Sequence, residues 1–288
     1  MFRMAIALFA AALPLAASQF TWKNSDGRVT LVENGKPALT FNPGAQLPAG
    51  VPEDRRRCCY IYPLWTPAGV SLTDDFPKDH YHHRGLFWSW PHVDTGSGHF
   101  DLWMLKGISP RNVSVRTSVR EGRAHLDAVN EWVAAEKPIV REHVRLTVHP
   151  VRDGAREFDV ELRILALHEA VTLSGSAETG KSYGGLGARF APHDAVLMRS
   201  DAGAIARDED LNPHAWAEFE AAFEGQRALL RITPDAANPG APNQWCAREY
   251  GFLGASFPGR TDAVRSYTIQ PGKPLVLRFR VRVADVTK

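Results

Sequence analysis

Apolar and polar residues alternate along much of this chain. Near the C-terminus Leu277, Phe279, Val281 and Val283 alternate with Arg278, Arg280 and Arg282. Phe158, Val160, Leu162 and Ile164 alternate with Asp159, Glu161 and Arg163, and Val144, Leu146 and Val148 with His143, Arg145 and Thr147. A period of two sends successive side chains to opposite faces of an extended segment, so these runs predict strands with one dry and one wet face. Val113, Val115, Thr117 and Val119, followed by residues 124–133, extend the pattern into a meander. Residues 20–41 read as short strands with hairpin turns at Gly27 and at Asn34 and Gly35, a pair suited to two-residue turns. The run 58–65 predicts a buried strand that stops or bulges near Pro63. Residues 216–223 and 228–233 predict a hairpin around Gly225. No long amphipathic helix competes with these strands. The expected fold is all-β, one large antiparallel β-sandwich of two packed sheets.

The N-terminus changes the expected address. Met1, Phe2, Arg3 and Met4 precede an apolar run from Ala5 to Ala17 that is rich in alanine and leucine. A short basic start, a brief apolar core and a small-residue exit predict a secretory signal peptide. Residues 1–18 are therefore expected to be removed, leaving residues 19–288 as a single β-sandwich domain that is periplasmic or secreted. The run is shorter than the roughly 20 residues that span a bilayer, and no later stretch is long and apolar enough, so no membrane span is expected after cleavage. The formal charge is +2, which argues against nucleic acid as a partner, since phosphate recognition needs a concentrated basic face. Arg55, Arg56 and Arg57 form the one tight basic cluster and read as a solvated loop. Of the three cysteines, Cys58 and Cys59 are neighbours, and bridges between neighbours are strained. A bridge from Cys246 to one of them stays open; otherwise all three are core side chains. Neither zinc-type spacing nor a redox CxxC motif is present.

The densest chemistry lies at Asp79, His80, Tyr81, His82, His83, Arg84 and Gly85, which run into the aromatic stretch 86–90. The segment reads as a loop entering a buried strand. If extension begins at Asp79, then His80, His82, Arg84 and Leu86 share one face, while Tyr81, His83 and Gly85 take the other. Two imidazoles and a guanidinium on one face can bind and protonate an oxygen-rich ligand. The plainer alternative is a polar loop end whose histidines satisfy backbone carbonyls. Residues 181–190 and 244–254 also combine glycine with charged and aromatic side chains, and the loop-rich segment 93–107 is expected to border the same cleft. Aromatic rings beside arginine and histidine suit sugars, whose CH faces pack on rings while their hydroxyls take charge-assisted hydrogen bonds. Serine-hydrolase and nucleotide-loop motifs are absent.

The segments HYHHRGLFWSW, KSYGGLGARF and WCAREYGFLGASF, in this order and spacing, resemble the PmoA-like family of bacterial proteins. The resemblance runs from about Tyr60 to the C-terminus. It implies an exported protein linked with sugar catabolism and a sandwich similar to the galactose mutarotase supersandwich. The family's "methane oxygenase" label does not fit a chain without the membrane helices of a particulate monooxygenase. Family members often have aspartate where Glu249 stands here.

A mutarotase-like site needs a general acid at the ring oxygen and a base at the anomeric hydroxyl. The candidate catalytic residues are His80, His82, His83, Arg84 and Glu142. Glu131 and Glu249 are alternative bases. The candidate substrate-binding residues are Trp88, Glu131, Tyr183, Arg189, Arg248 and Tyr250. The expected protein is an exported carbohydrate-active enzyme doing acid–base chemistry of epimerase/mutarotase, lyase or hydrolase type. Its ligand would be a small molecule or oligosaccharide, namely a sugar or modified glycoside. The alternatives are a non-catalytic sugar-binding protein and a metal-dependent enzyme using His80, His82 and His83. No cofactor is favoured, because residues 85–89 lack the carboxylate that would follow a cupin-like histidine pair.

Overall fold

A computed structural model describes residues 19–259 and 265–286, so the expected signal peptide lies outside the described residues. Two nine-stranded sheets form the body. The first runs, in spatial order, Phe20–Ser25, Arg28–Glu33, Lys36–Asn42, Tyr60–Leu64, Leu86–Ser89, Gly185–Arg189, Phe252–Ser256, Asn243–Arg248 and Glu209–His214. The second runs Gly203–Ile205, Asp194–Ser200, Ala217–Phe223, Gln226–Pro234, Leu275–Asp285, Ala155–Ala166, Lys137–Val148, Arg123–Ala134 and Ile108–Arg120. Neighbouring strands are antiparallel throughout both sheets. The fold is all-β, as the alternation requires. Among the described residues the one helical element is the 3-10 turn Glu53–Arg55.

The expected periodicity explains the core. Along Leu275–Asp285, Leu275, Leu277, Phe279, Val281 and Val283 are buried, and Arg278, Arg280 and Arg282 stay on the wet face. There they pair across strands with Glu161, Asp159 and Glu157. Burying each Leu, Val or Phe contributes about 1.5–3 kcal/mol, whereas such surface pairs contribute about 0–1 kcal/mol. Packing therefore dominates the stability of this strand. Two details differ from expectation. Val113 and Val119 are exposed, because Ile108–Arg120 is an edge strand whose register shifts between Asn112 and Ser114. A third, four-stranded sheet joins Ser266–Ile269, Val171–Ser174, His92–Thr95 and Gly98–Phe100, partly within a stretch that reads as loop.

The topology brings the three motif segments together. Leu86–Ser89, Gly185–Arg189, Phe252–Ser256 and Asn243–Arg248 are consecutive neighbours in the first sheet. Leu86, Trp88, Leu186, Ala188, Leu253 and Ala255 enter the main core. Phe87, Cys246 and Phe252 join Tyr60 and Trp103 in a separate apolar cluster. Gly187 makes room for it: a Cβ there would stand 2.8 Å from the Phe252 ring. Cys246 sits in this second cluster and is unbridged, as are Cys58 and Cys59.

Candidate functional site

The histidine segment is a pair of turns, not the start of a strand. His80 N–H donates to the Pro77 carbonyl (2.9 Å), and His83 N–H donates to the His80 carbonyl (2.8 Å). Regular strand begins only at Leu86. The expected alternation of His80, His82 and Arg84 on one face is therefore corrected. In its place His80 and His83, three residues apart, stack with ring centroids 4.6 Å apart and planes 3° from parallel. His82 stands edge-on to both, at 5.6 and 4.5 Å.

Arg84 is what holds this shape. Its side chain is fully buried. Nη1 donates to the carbonyls of Tyr81 (2.7 Å) and His83 (2.6 Å), Nη2 donates to the carbonyl of Arg55, and the guanidinium lies 3.4 Å from the Phe76 ring centroid. Arg84 thus folds the turn from below instead of facing a ligand, which corrects its expected catalytic place. Gly85 follows because a Cβ there would stand 2.4 Å from the Ile61 carbonyl oxygen. Asp75, which accepts the Tyr60 hydroxyl (2.8 Å), lies 3.7 Å from Arg84 Nε. Burial pushes the Asp75 carboxyl up to about 7 and draws Arg84 down to about 9, so desolvation exceeds their mutual attraction at both groups.

Above this base the imidazoles meet the other two segments. Tyr250 stacks on His80 (5.1 Å, 9°), and the Arg189 guanidinium lies 4.8 Å from the Tyr250 ring centroid. Arg189 Nη2 donates to both carboxylate oxygens of Asp79 (3.0 and 2.9 Å), and His80 Nδ1 is 2.8 Å from Asp79 Oδ2. His83 packs on Phe252 (4.9 Å) with Trp103 edge-on (5.8 Å). Trp103 also contacts Tyr183 (4.9 Å), whose hydroxyl donates to Glu178 (2.7 Å). Arg248 pairs with Asp210 and donates to the Glu209 carbonyl, and its charge reaches Tyr250. Three buried nitrogens here have no protein partner: His83 Nδ1, Arg189 Nε and Arg189 Nη1. Buried polar groups are rarely left unmatched, and Arg84 Nε in the base of the turn is likewise without a protein partner.

The local field fixes protonation states. Burial, reinforced by His80, Arg55, Arg84 and Arg57, pushes His82 down to about 3. Burial with His82, His80, Arg189 and Arg84 holds His83 well below its usual range. Both rings are therefore neutral near pH 7. Burial opposes ionisation of Asp79, but the His80 hydrogen bond and the Arg189 charge outweigh it and leave this carboxyl below its usual range. Burial pushes the Tyr183 and Tyr250 phenols up to about 12. The depressed His82 has a consequence for stability. Between pH 6.5 and about 3 the unfolded chain binds a proton that the folded chain refuses, so acidification through that window favours unfolding. His82→Gln is expected to lose less thermal stability than the wild type between pH 7 and pH 4. Parallel melts at the two pH values check this; identical losses would contradict it.

Three candidates lie elsewhere. Trp88 is buried in the main core, where its Nε1 donates to Glu142 (2.8 Å). Glu142 is 1% exposed and also accepts from Trp132 Nε1 (3.1 Å) and Asn130 Nδ2 (2.8 Å). Burial raises its carboxyl above the usual range against those three hydrogen bonds. Glu142 shares the parity of Val144, Leu146 and Val148, the buried set of its strand, and that parity was the signal in the sequence that it points inward. Glu131 pairs with Arg111 (2.8 Å) and Arg141 (2.9 Å). The structure brings none of the three to the histidines. Accordingly Glu142→Gln should keep activity, while Glu142→Ala should cost about 1–3 kcal/mol by stranding buried donors. Urea denaturation and an activity assay of both variants would show it, and loss of activity in a folded Glu142→Gln protein would refute the placement.

Trp103, Phe252 and the clasp of Asp79 between His80 and Arg189 were not foreseen as site components. Segment 93–107 was expected near the cleft, but nothing in its sequence marks Trp103 within it. Among the described residues no group of three or more His, Cys, Asp or Glu side chains is arranged to hold a metal ion. No helix among them is long and apolar enough to cross a membrane.

All of these site residues fall within residues 28–287, which match the model of a family described as of unknown function, DUF6807. The chain belongs to the DUF6807 family. No curated protein matches this DUF6807 chain. It is similar to a solved GalM/aldose epimerase homologue from C. elegans, with 8% identity and a TM-score of 0.37 over 94% of this chain and 100% of that one. It is also similar to the 4-alpha-glucanotransferase of Thermococcus litoralis, with 14% identity and a TM-score of 0.33 over 93% of this chain and 40% of that one. The DUF6807 chain thus spans well under two thirds of the glucanotransferase.

Proposed function

We propose that this protein is an exported enzyme that binds a sugar or modified glycoside over the histidine turn and transfers a proton on it. The observation that carries this reading is the Asp79, His80 and Arg189 clasp beside three unpartnered buried nitrogens. An ionised carboxylate only accepts hydrogen bonds, so Asp79 holds a proton on His80 Nδ1 and leaves Nε2 as the ring nitrogen that faces the reaction. Arg189 holds Asp79 in place and offers its free N–H groups to a developing oxyanion. Tyr250, a neutral phenol stacked on His80, is the matching donor to a sugar oxygen. His82 and His83 are neutral, so they orient hydroxyls instead of serving as the strong acid. Tyr183, partly buried and backed by the buried Trp103, supplies a ring face for the CH side of a pyranose.

In the reaction His80 Nε2 would take a proton from the anomeric hydroxyl, or from carbon beside a carbonyl, while Tyr250 supports the oxygen that gains charge. Purified protein incubated in D2O with aldoses, uronates and oxidised glycosides, and followed by proton NMR, tests this. Anomer exchange, deuterium entry or a new product supports it. Saturable binding without change would favour a sugar-binding protein, and neither binding nor change with any class would sink both.

A further inference from the structure

We propose that Cys58 and Cys59 form a redox pair that closes to a disulfide between neighbouring residues. Side chains of adjacent extended residues normally point to opposite faces. Here Cys59 adopts φ 66°, a left-handed conformation uncommon for a residue with a side chain, and the two sulfurs lie 2.9 Å apart. The backbone around them is held on both sides. Cys59 N–H donates to the Asn42 carbonyl (2.7 Å), and Arg57 and Gln46 exchange backbone hydrogen bonds (2.8 and 3.2 Å). Cys58 Sγ lies 3.2 Å from the Pro110 carbonyl oxygen. Strained backbone of this kind persists only where its surroundings fix it.

The pair also has an electropositive neighbour and a way in. Arg57 is buried, donates to the carbonyls of Leu102 and Trp88 and to Ser89 Oγ, and keeps Nε unpartnered. The hydrogen bond with Cys59, helped by the Arg57 charge, holds the Cys58 thiol below its usual range and favours a thiolate there, while burial and the Cys58 contact hold Cys59 well above its own. Cys58, Arg57, Pro110 and Asn112 line a surface cavity of about 560 Å³. Cys246 belongs to the separate cluster with Phe87 and Phe252 and is not a partner.

A low-molecular-weight disulfide is the oxidant. The Cys58 thiolate attacks one of its sulfurs and expels the other as a thiolate. Cys59, after losing its proton, then attacks Cys58 Sγ and expels the second small thiolate. One protein S–S bond forms, two protein thiols are oxidised by two electrons, and the oxidant is reduced to two thiols. The adjacent bridge is strained, so excess dithiol should open it readily.

The test is intact-mass and peptide analysis of the folded full chain after treatment with oxidised glutathione, followed by denaturation and alkylation. The expected protein takes up one alkyl group, at Cys246, and its peptide carrying Cys58 and Cys59 is lighter by two hydrogens. Dithiothreitol should restore three alkylation sites, and Cys59→Ser should instead trap glutathione on Cys58. Three alkylated cysteines in the treated wild type, a stable glutathione adduct on the wild type, or a bridge to Cys246 would each overturn the proposal. The wild-type mass decides it even where Cys59→Ser does not fold.

Discussion

Arg84→Ala is expected to destabilise the protein by about 3–5 kcal/mol, the range for removing one member of a buried, hydrogen-bonded charged network. For a chain of this size that corresponds to a fall in Tm on the order of 10 °C. The carbonyls of Tyr81, His83 and Arg55 would lose their common donor, and Asp75 its buried countercharge. The damage should be local as well as global, since the first two carbonyls belong to the turn that stacks His80 on His83. Arg84→Lys should fall between the wild type and alanine, because an ammonium cannot reproduce the planar fork that serves three carbonyls. Thermal and urea melts measure both variants. A Tm for Arg84→Ala indistinguishable from wild type would show that the turn does not depend on this clamp.

His80→Gln should lower turnover of whichever sugar the protein converts by about 10²–10⁴-fold, the usual contribution of a positioned acid–base group. Binding should change far less, because Arg189, Tyr183 and Trp103 remain. Asp79→Asn should also lower turnover, since an amide no longer fixes the His80 tautomer as an acceptor-only group does. Steady-state kinetics separate the two effects. A loss confined to KM, with kcat intact, would mean that His80 binds without moving the proton.

Much of the sandwich was legible because its strands are amphipathic. The parity of Val144, Leu146 and Val148, or of Phe279, Val281 and Val283, marks the buried face without reference to tertiary partners. The same parity places Glu142 inside, where it accepts from Trp88, Trp132 and Asn130, whereas Trp88 stands on a strand buried along its whole length. The chemistry of Glu142 suggested a site, whereas its position in the pattern indicated the core. The histidine turn was not legible, because its conformation depends on carbonyls of residues 55, 81 and 83 converging on one buried guanidinium. Convergence of the His80, Arg189 and Tyr250 segments follows from strand order, which local patterns do not contain. Trp103 gave no local signal either; it meets His82, His83 and Tyr183 only through the fold.

The most direct measurement is a titration of protein labelled with nitrogen-15 in its histidines, using the sugar that gives turnover or binding in the panel. The imidazole signals of His80, His82 and His83 should shift together and saturate with one dissociation constant, and Arg189→Met should weaken that constant while His125 and His143 stay still. Saturable shifts confined to His125, His143 or other distant rings, with the three clustered imidazoles unmoved, would contradict a ligand site at the histidine turn.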